Sequence, residues 1–418
     1  MSWPEVAFES LFSEPSRNGV YKSKEHHGSG VRIVNMGELF AFHHIGEQKM
    51  SLIRMSDAEM TKSGLIDGDL LFGRRSLVEE GAGKCSIVLK PTDPLTFESS
   101  IIRVRLNQKI ADPEFFFNYF RSPIGRSRVR AIVGGTAVKG IRGSDLKQIQ
   151  VHLPKIDEQI AIRKVIGIYD ELIATNQRRI ALLEQAARLL YREWFVHLRF
   201  PGHELAELEN DLPAGWQKGV AYDFVSVLSG GTPKTGMSHY WGGEIPFFTP
   251  KDSPSSFYVI DTEKQLTESG LDNCNSRLYP RNTTFITARG TVGKVALAQS
   301  PMAMNQSCYA LAPKQKFDEL FLFLAICNAV EHFKQVAVGG VFDAIVVDTF
   351  KVIPFVMPNL ELVEKFGDLA RPQFEQIENL LLQNRRLAQA RDLLLPKLMS
   401  GQLDVSQIPL PETEAVTS

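Results

Sequence analysis

The stretch DEQIAIRKVIGIYDELIATNQRRIALLEQAARLLYREWF, residues 157–195, decides how the chain is organised. Its apolar side chains recur at alternating steps of three and four residues, from Ile162 through Ile180 and Leu183 to Trp194. This is the heptad pattern of a helix that packs against another helix. At 1.5 Å per residue, a helix over this stretch would be about 58 Å long. A helix this long and one-sided cannot bury its seam alone, so the pattern predicts a second helix.

A similar seam lies near the end of the chain. Its members are Ile377, Leu380, Asn384, Leu387, Leu394 and Leu398. Pro372 and Pro396 predict a shorter main helix with broken ends. Asn176 and Asn384 interrupt the two seams, either as polar residues that set the register or as residues solvated at the seam edge. The residues predicted to pair the helices are Ile173, Asn176, Ile180, Leu183, Leu190, Leu380, Asn384 and Leu387.

The remainder of the chain repeats itself. Trp3 and Trp216 open similar runs, and GDLLFGRR from Gly68 is matched by NTTFITAR from Asn282. Each copy then has a Gly-Lys pair, at residues 83–84 and 293–294, and each closes on a proline before its helix. These matches occur in the same order in both copies and are separated by a nearly constant number of residues. Such a series indicates internal duplication.

Each copy begins with short β-like runs, turns and one or two helices, a mixture that predicts an α+β domain. The predicted fold is therefore two duplicated globular α/β domains, separated and joined by two long antiparallel coiled-coil helices, with pseudo-two-fold symmetry. The predicted segments are residues 1–153 (first domain), 154–198 (first helix), 199–357 (linker and second domain), 358–403 (second helix) and 404–418 (disordered tail).

The composition of the 418 residues is that of an ordinary soluble globular protein, with 44% hydrophobic and 23% charged residues and a formal net charge of −1. No run is apolar enough for a membrane span. The four cysteines are scattered and never form C-x-x-C, which argues against a disulfide framework and fits a reducing cytoplasm. We therefore expect a cytoplasmic protein.

The sequence shows no catalytic signature. The Gly-Lys pairs do not form a phosphate-binding loop, because Val78 and Ala288 stand where that motif requires glycine. No N-P-P-Y or D-P-P-Y methyltransferase loop is present. The pairs His26-His27 and His43-His44 lack the spacing of metal ligands and are better explained as exposed histidines. We expect no catalytic residue, no metal site and no cofactor bound by this chain itself.

Local charge is the informative feature. Residues 115–144 of the first copy and 273–317 of the second contain no acid and several basic residues. Duplicated basic stretches on a chain of net charge −1 predict binding of a nucleic acid. The candidate DNA-binding residues are Arg17, Asn18, Tyr21, Lys22, Arg74, Arg75, Lys84, Lys139, Arg142, Thr232, Lys234, Tyr240, Lys251, Arg277, Arg289, Lys294, Asn305 and Gln306.

Several segments resemble the specificity (S) subunit of type I restriction–modification systems. They are residues 153–195, SGGTPKTGMSHYWGGEIPFFTPKD (Ser229–Asp252), RGTVGKVAL (Arg289–Leu297) and RRLAQARDLLLPKLMSGQLD (Arg385–Asp404). The first copy departs from the resemblance, having GRRSLVEEGAGK where the second has RGTVGK.

The resemblance implies a non-catalytic reader of double-stranded DNA, in which each domain recognises one half of a split target and the helices hold the spacing. It also implies two methyltransferase subunits, which would use S-adenosylmethionine, and restriction subunits that join the complex. The alternative is a coiled-coil adaptor that recruits protein partners. The dependence of binding on salt separates the two, because DNA binding weakens steeply as salt rises.

Overall fold

The computed structural model describes residues 3–136, 138–336 and 344–405. Residues 406–418, most of the predicted disordered tail, lie outside the described residues. The chain divides into two compact units, Met1–Glu171 with Leu387–Ser418, and Leu172–Arg386. The division passes through both long helices, because one part of each helix packs with the first unit and the other part with the second.

Each unit is built on a five-stranded sheet with the same strand order. In the first unit the order is Phe12–Asn18, Ile101–Leu106, Leu70–Gly73, Cys85–Val88 and His44–Ile45. In the second unit it is Val225–Ser229, Cys308–Pro313, Thr284–Thr287, Val295–Ala298 and Tyr258–Val259. Neighbouring strands are antiparallel except for the last pair of each sheet, which is parallel. The shared topology confirms the duplication.

The smaller sheets are duplicated as well. The three-stranded sheets are Ser51–Ile53, His27–Val34 and Leu95–Phe97, and Lys264–Leu266, Trp241–Phe248 and Ala303–Met304. The two-stranded sheets are Glu5–Ala7 with Gln150–His152, and Gln217–Val220 with Pro354–Met357. Each two-stranded sheet joins the start of a copy to its end, so that each domain closes just before its long helix begins. Short strands also pair Arg75–Ser76 with Lys139–Gly140, and Leu208–Glu209 with Leu212–Pro213.

The shorter helices are repeated only in part. In the first unit they are Met36–Ala41, Asp57–Ser63, Pro113–Arg121, Pro123–Arg130 and Gly143–Gln148. In the second unit they are Ala221–Phe224, Glu268–Asp272 and Glu319–Val336. An aspartate caps the phenylalanine-rich helix of each copy: Asp112 accepts a hydrogen bond from the Phe115 amide at 2.8 Å, and Asp318 accepts one from the Phe321 amide at 3.1 Å. These helices cover the five-stranded sheets and fill both cores with phenylalanine.

The two predicted long helices are confirmed, as Ile156–Tyr191 and Leu360–Met399, and the first continues into a π-helical turn, Arg192–Val196. Their segments run antiparallel within the second unit. There Asn176 contacts Asn384, and Tyr191 packs on Phe366 with ring centroids 6.2 Å apart.

In the first unit, the beginning of the first long helix packs with the end of the second. Asp170 and Arg391 form an ion pair of 2.6 Å. Ile162 and Leu398 belong to the same buried cluster as the phenylalanines of the Pro113–Arg121 helix. The long helices are therefore part of the two domain cores as well as a connection between them.

The prediction that Pro372 and Pro396 break the second long helix is wrong, because the helix is continuous from Leu360 to Met399. A proline inside a helix costs about 3 kcal/mol through its missing hydrogen bond and its clash with the preceding turn. Phe374 and Ile377, just beyond Pro372, are fully buried. Each such side chain contributes about 1.5–3 kcal/mol, so burial of this face outweighs the local cost. Pro396 lies in the last turn, where little helix follows it.

Candidate nucleic-acid interface

Four cationic side chains of the first unit line one open cleft of about 490 Å³: Arg74, Arg75, Lys139 and Arg142. The short strands Arg75–Ser76 and Lys139–Gly140 pair beside it and hold two of these cations next to each other. Asp145 is the one acid among the described residues that line the cleft. Four cations against one carboxylate give this cleft a positive charge, which is the electrostatic character that suits a polyanion.

Arg74 and Arg75 belong to a loop between Gly73 and Gly83. This loop is closed by a backbone bond that recurs in the second unit. The Gly83 amide donates to the Gly73 carbonyl at 2.7 Å, and the Gly293 amide donates to the Thr287 carbonyl at 2.9 Å. The loops therefore have the same backbone closure although the first copy lacks the RGTVGK sequence.

A second pair of backbone bonds attaches a later segment of each copy to this loop. The segment contains Ile141 in the first copy and Ile345 in the second. The Ile141 amide donates to the Arg74 carbonyl at 3.0 Å, and the Ile345 amide donates to the Ala288 carbonyl at 2.8 Å. Arg75 of the first unit thus corresponds to Arg289 of the second. The two copies place a cation at the same point of the same loop.

In the second unit, three contacts gather the predicted residues around this loop. The Arg289 amide donates to the Ser307 carbonyl at 3.3 Å, the Thr291 hydroxyl donates to the Pro250 carbonyl at 3.2 Å, and the Thr232 hydroxyl donates to Gln306. The predicted residues brought together in this way are Thr232, Lys251, Arg289, Lys294, Asn305 and Gln306. They combine exposed cations with hydrogen-bonding side chains, which phosphate contact and base contact require.

A glycine in each copy permits two backbone segments to approach closely. A Cβ atom on Gly19 would lie 2.1 Å from the Phe97 carbonyl oxygen, and one on Gly230 would lie 2.3 Å from the Asn305 carbonyl oxygen. Any side chain there would push the loop away from the sheet. Gly19 directly follows Asn18, and Gly230 stands two residues before Thr232, so each close approach lies next to a predicted residue.

Other predicted residues lie apart from the cleft. Arg17 and Asn18 line a separate, shallow groove with Lys62. Tyr21 is 87% exposed. Lys234 and Arg277 are exposed, and Tyr240 is half-buried beside His239.

Three predicted lysines already have partners. The Lys22 ammonium pairs with Glu59 at 2.8 Å, and Lys251 pairs weakly with Glu263 at 4.0 Å. The Lys84 ammonium donates to the Phe40 carbonyl at 2.7 Å, and burial lowers its pKa. A cation with such a partner must lose it, or share it, to contact a phosphate.

Some arginines of the acid-free stretch 115–144 already have partners from other parts of the first unit. The Arg126 guanidinium donates to the carbonyls of Gly83 at 3.0 Å and Glu80 at 2.9 Å. Arg128 pairs with Glu5, which lowers the pKa of that carboxyl. Two arginines of the stretch therefore stabilise the domain, and its contribution to the cleft comes from Lys139 and Arg142.

Among the predicted helix-pairing residues, Asn176 is 5% exposed. Its side-chain amide donates to Gln383 at 3.0 Å and to Asn384 at 2.9 Å. Asn384 in turn donates to the Ile173 carbonyl at 3.5 Å. Asn176 is therefore a polar residue bonded within the seam, and it is not solvated at the seam edge.

The apolar pairing residues differ in burial. Ile180 and Leu380 are buried in one cluster of the second unit, with Leu183 and Leu190 packed against it. Leu387 is half-buried and belongs to the first unit.

A duplicated ion pair was missed at the sequence level. Arg163 of the first long helix pairs with Glu114 at 2.7 Å and with Asp112 at 3.4 Å, and Arg371 of the second pairs with Asp318 at 2.5 Å. Both aspartates are the helix caps described above, and burial raises the pKa of each carboxyl against the opposing effect of its arginine. The signal was present, because Arg163 and Arg371 have the same separation as Asn176 and Asn384.

In the part of the chain that the structure describes, no helix is long and apolar enough to cross a membrane. The same described ranges hold no group of three or more potential metal ligands.

The comparisons with known proteins agree on one family. The family model described as type I restriction modification DNA specificity domain matches residues 57–185 and 213–368. The HindI specificity subunit of Haemophilus influenzae is 23% identical over 413 residues, which cover 82% of this chain and 88% of that protein. The MjaIX specificity subunit of Methanocaldococcus jannaschii is 22% identical over 362 residues, covering 80% and 83%.

A solved structure, the type I restriction–modification S subunit from M. genitalium, has a TM-score of 0.56 at 15% identity and covers 95% of this chain and 96% of its own. It shows the same fold. The family match, which takes in both copies, favours DNA specificity over the adaptor alternative. The chain belongs to the family of type I restriction–modification DNA specificity subunits.

Proposed function

We propose that each domain reads one half of a bipartite double-stranded DNA target through the loop regions described above, and that the chain itself is not catalytic. The observation that carries this proposal is the duplicated loop, closed by the same backbone bonds and bearing Arg75 in one copy and Arg289 in the other. An arginine can bind a phosphate or the edge of a guanine with two parallel hydrogen bonds. Two copies of such a loop suit a target in two parts.

The test is DNA binding by the double variant Arg74→Gln and Arg142→Gln. The matched control is Arg178→Gln, which removes an exposed arginine of the first long helix. If the two cleft arginines contact phosphates, the slope of log affinity against log salt should fall by about 1.8 in the variant and stay unchanged in the control. An unchanged slope and affinity in the cleft variant would contradict a role for this cleft.

The first long helix also has an apolar stripe on its outer side. Leu182, Leu189 and Val196 recur every seven residues and are 66%, 49% and 47% exposed. Arg179, three residues before Leu182, and Ala186, between Leu182 and Leu189, lie on the same face and are exposed too. An apolar stripe of heptad spacing that no other described residue of the chain covers is typical of a surface on which another helix docks.

We infer that this stripe, the outer seam, docks a helix of a methyltransferase subunit, with two such subunits in the complex and restriction subunits joining them. S-adenosylmethionine would then be bound by the methyltransferase subunits and not by this chain. Leu189→Asp should abolish co-purification with the methyltransferase subunit, because it places a charge in an apolar contact. Glu171→Gln on the same helix is the control, and equal recovery with both variants would contradict docking on the outer seam.

A further inference from the structure

The two copies differ at one equivalent place, where the end of the five-stranded sheet meets the long helices. The parallel strand pairs align His44 opposite Ile87 in the first copy and Tyr258 opposite Leu297 in the second. His43 therefore corresponds to Phe257.

The aspartate caps fix the correspondence on the neighbouring helix. Counting from Asp112 and Asp318, Phe117 corresponds to Phe323 and Arg121 to Cys327. The arginines that pair with these caps, Arg163 and Arg371, likewise align Ile166 with Phe374.

In the second unit this place is a closed aromatic cluster. The ring centroids of Phe257 and Phe323 are 4.9 Å apart, and Phe374 lies 5.2 Å from Phe257 and 6.0 Å from Phe323. All three side chains are buried, and so is Cys327. Buried rings thus make this junction, and the polar groups beside it are already engaged: the Arg188 guanidinium lies 4.9 Å from the Phe257 ring, and Glu184 accepts a hydrogen bond from the Phe257 amide at 2.8 Å.

In the first unit the same place is open and cationic. The rings of His43 and His44 lie 6.3 Å and 5.3 Å from the ring of Phe117, and the Arg121 guanidinium lies 5.0 Å from that ring. Both histidines are exposed as whole residues, while their rings pack partly against Phe117. Among the described residues, no hydrogen-bond acceptor is found for the Arg121 guanidinium, so its donors can bind a ligand.

The charges around the two imidazoles come from every element packed there. Partial burial and, to a smaller extent, the nearby groups Arg121, Lys84, His44 and Arg391 together lower the pKa of His43 to about 4. Burial also lowers the pKa of His44, with Arg121 and Arg391 acting in the same direction and Asp170 and Glu114 against it. Asp170 and Asp392 are already paired with Arg391, and Glu114 with Arg163.

We propose that His43, His44 and Arg121 form a binding site for a phosphate group, with Phe117 as its floor. A phosphate supplies what this cluster lacks: an anion that accepts the free donors of a guanidinium and stabilises two imidazoles in their charged, donating form. The site goes beyond the proposed reading function, because it lies on the helix-facing side of the first domain and has an apolar counterpart in the second. The phosphate belongs either to a DNA backbone or to a free ion.

The experiment is an NMR pH titration of the full chain labelled in histidine, with His43 and His44 assigned from His43→Gln and His44→Gln. It is run without anion, with inorganic phosphate, and with a short DNA duplex. Arg121→Gln is the test variant and Arg178→Gln the control. The bound phosphate should raise the pKa of both histidines by about 1–3 pH units in wild type and control. The rise should be lost in Arg121→Gln.

A rise with inorganic phosphate assigns the site to a free phosphate group, and a rise with the duplex alone assigns it to the DNA backbone. If neither probe changes the pKa of either histidine, or if Arg121→Gln keeps the full rise, the proposal is overturned.

The reading function is tested separately: an Arg74→Gln and Arg142→Gln variant that no longer binds DNA should still show the effect of inorganic phosphate if that is the ligand. The variant His43→Phe with Arg121→Cys, which copies the second unit, should fold normally and show no response of His44 to either probe.

Discussion

Replacing Ile180 by aspartate should separate the long helices within the second unit. Ile180 is 5% exposed and belongs to the buried cluster that contains Leu380. Loss of its side chain from the core costs about 2–5 kcal/mol. An aspartate left there without a hydrogen-bond partner costs about 1–3 kcal/mol more. Because a domain is stable by only about 5–15 kcal/mol, this change should remove most of the stability of the unit.

The matched control is Leu182→Asp, the same substitution two residues along the helix at a side chain that is 66% exposed. Exposed substitutions usually change stability by no more than about 0.5 kcal/mol. The assay is urea unfolding of the isolated chain followed by circular dichroism, with the midpoint and slope compared between the two variants. An Ile180→Asp midpoint equal to that of Leu182→Asp would refute the assignment of Ile180 to the helix-pairing core.

Three further predictions concern the reading function and pH. Inserting four residues after Asn176 lengthens the helix by about 6 Å. It should widen the unread gap of the target by about one or two base pairs, as methylation mapping of the assembled complex would show; an active variant with the original gap would mean that the helices do not set the spacing. Exchanging residues 1–152 for those of a relative should change one half-site and leave the other intact, and a change in both halves would contradict independent readers. The pKa of His43 is lowered from 6.5 to about 4, so the unfolded chain binds more protons than the folded chain between these values. The stability of the first unit should therefore fall as the pH drops from 6.5 towards 4; His43→Gln should flatten this dependence of the unfolding midpoint on pH, and an equal slope in both proteins would exclude His43 as its source.

The duplicated ion pairs, Arg163 with Asp112 and Arg371 with Asp318, attach each domain to its long helix. Each joins the cap of the phenylalanine-rich helix to the long helix that follows, inside one unit. Removing either arginine would leave a partly buried carboxylate without its cation, which is the costly way to break an ion pair. The pairs therefore oppose any change in the angle between a domain and its helix.

The sequence by itself determined the duplication, the two long helices and the class of ligand. These features are local or periodic along the chain: a heptad seam, an ordered series of repeated motifs, and basic stretches without acids. A helix seam such as Ile173 to Leu190 can be recognised from spacing alone, because side chains three and four residues apart share a helix face. The same spacing also indicated Asn176, although not whether its amide was bonded or solvated.

Only the tertiary structure decided which charged and polar groups are available and which are occupied. Arg126 and Arg128 stand in the same basic stretch as Arg142, yet the first two bind carbonyls and Glu5, which are distant in sequence, and Arg142 lines the open cleft. Pro372 is tolerated for the same reason, since burial of the residues around it depends on the other elements of the core. A partner brought close by folding has no fixed distance along the chain, so neither spacing nor composition could reveal it.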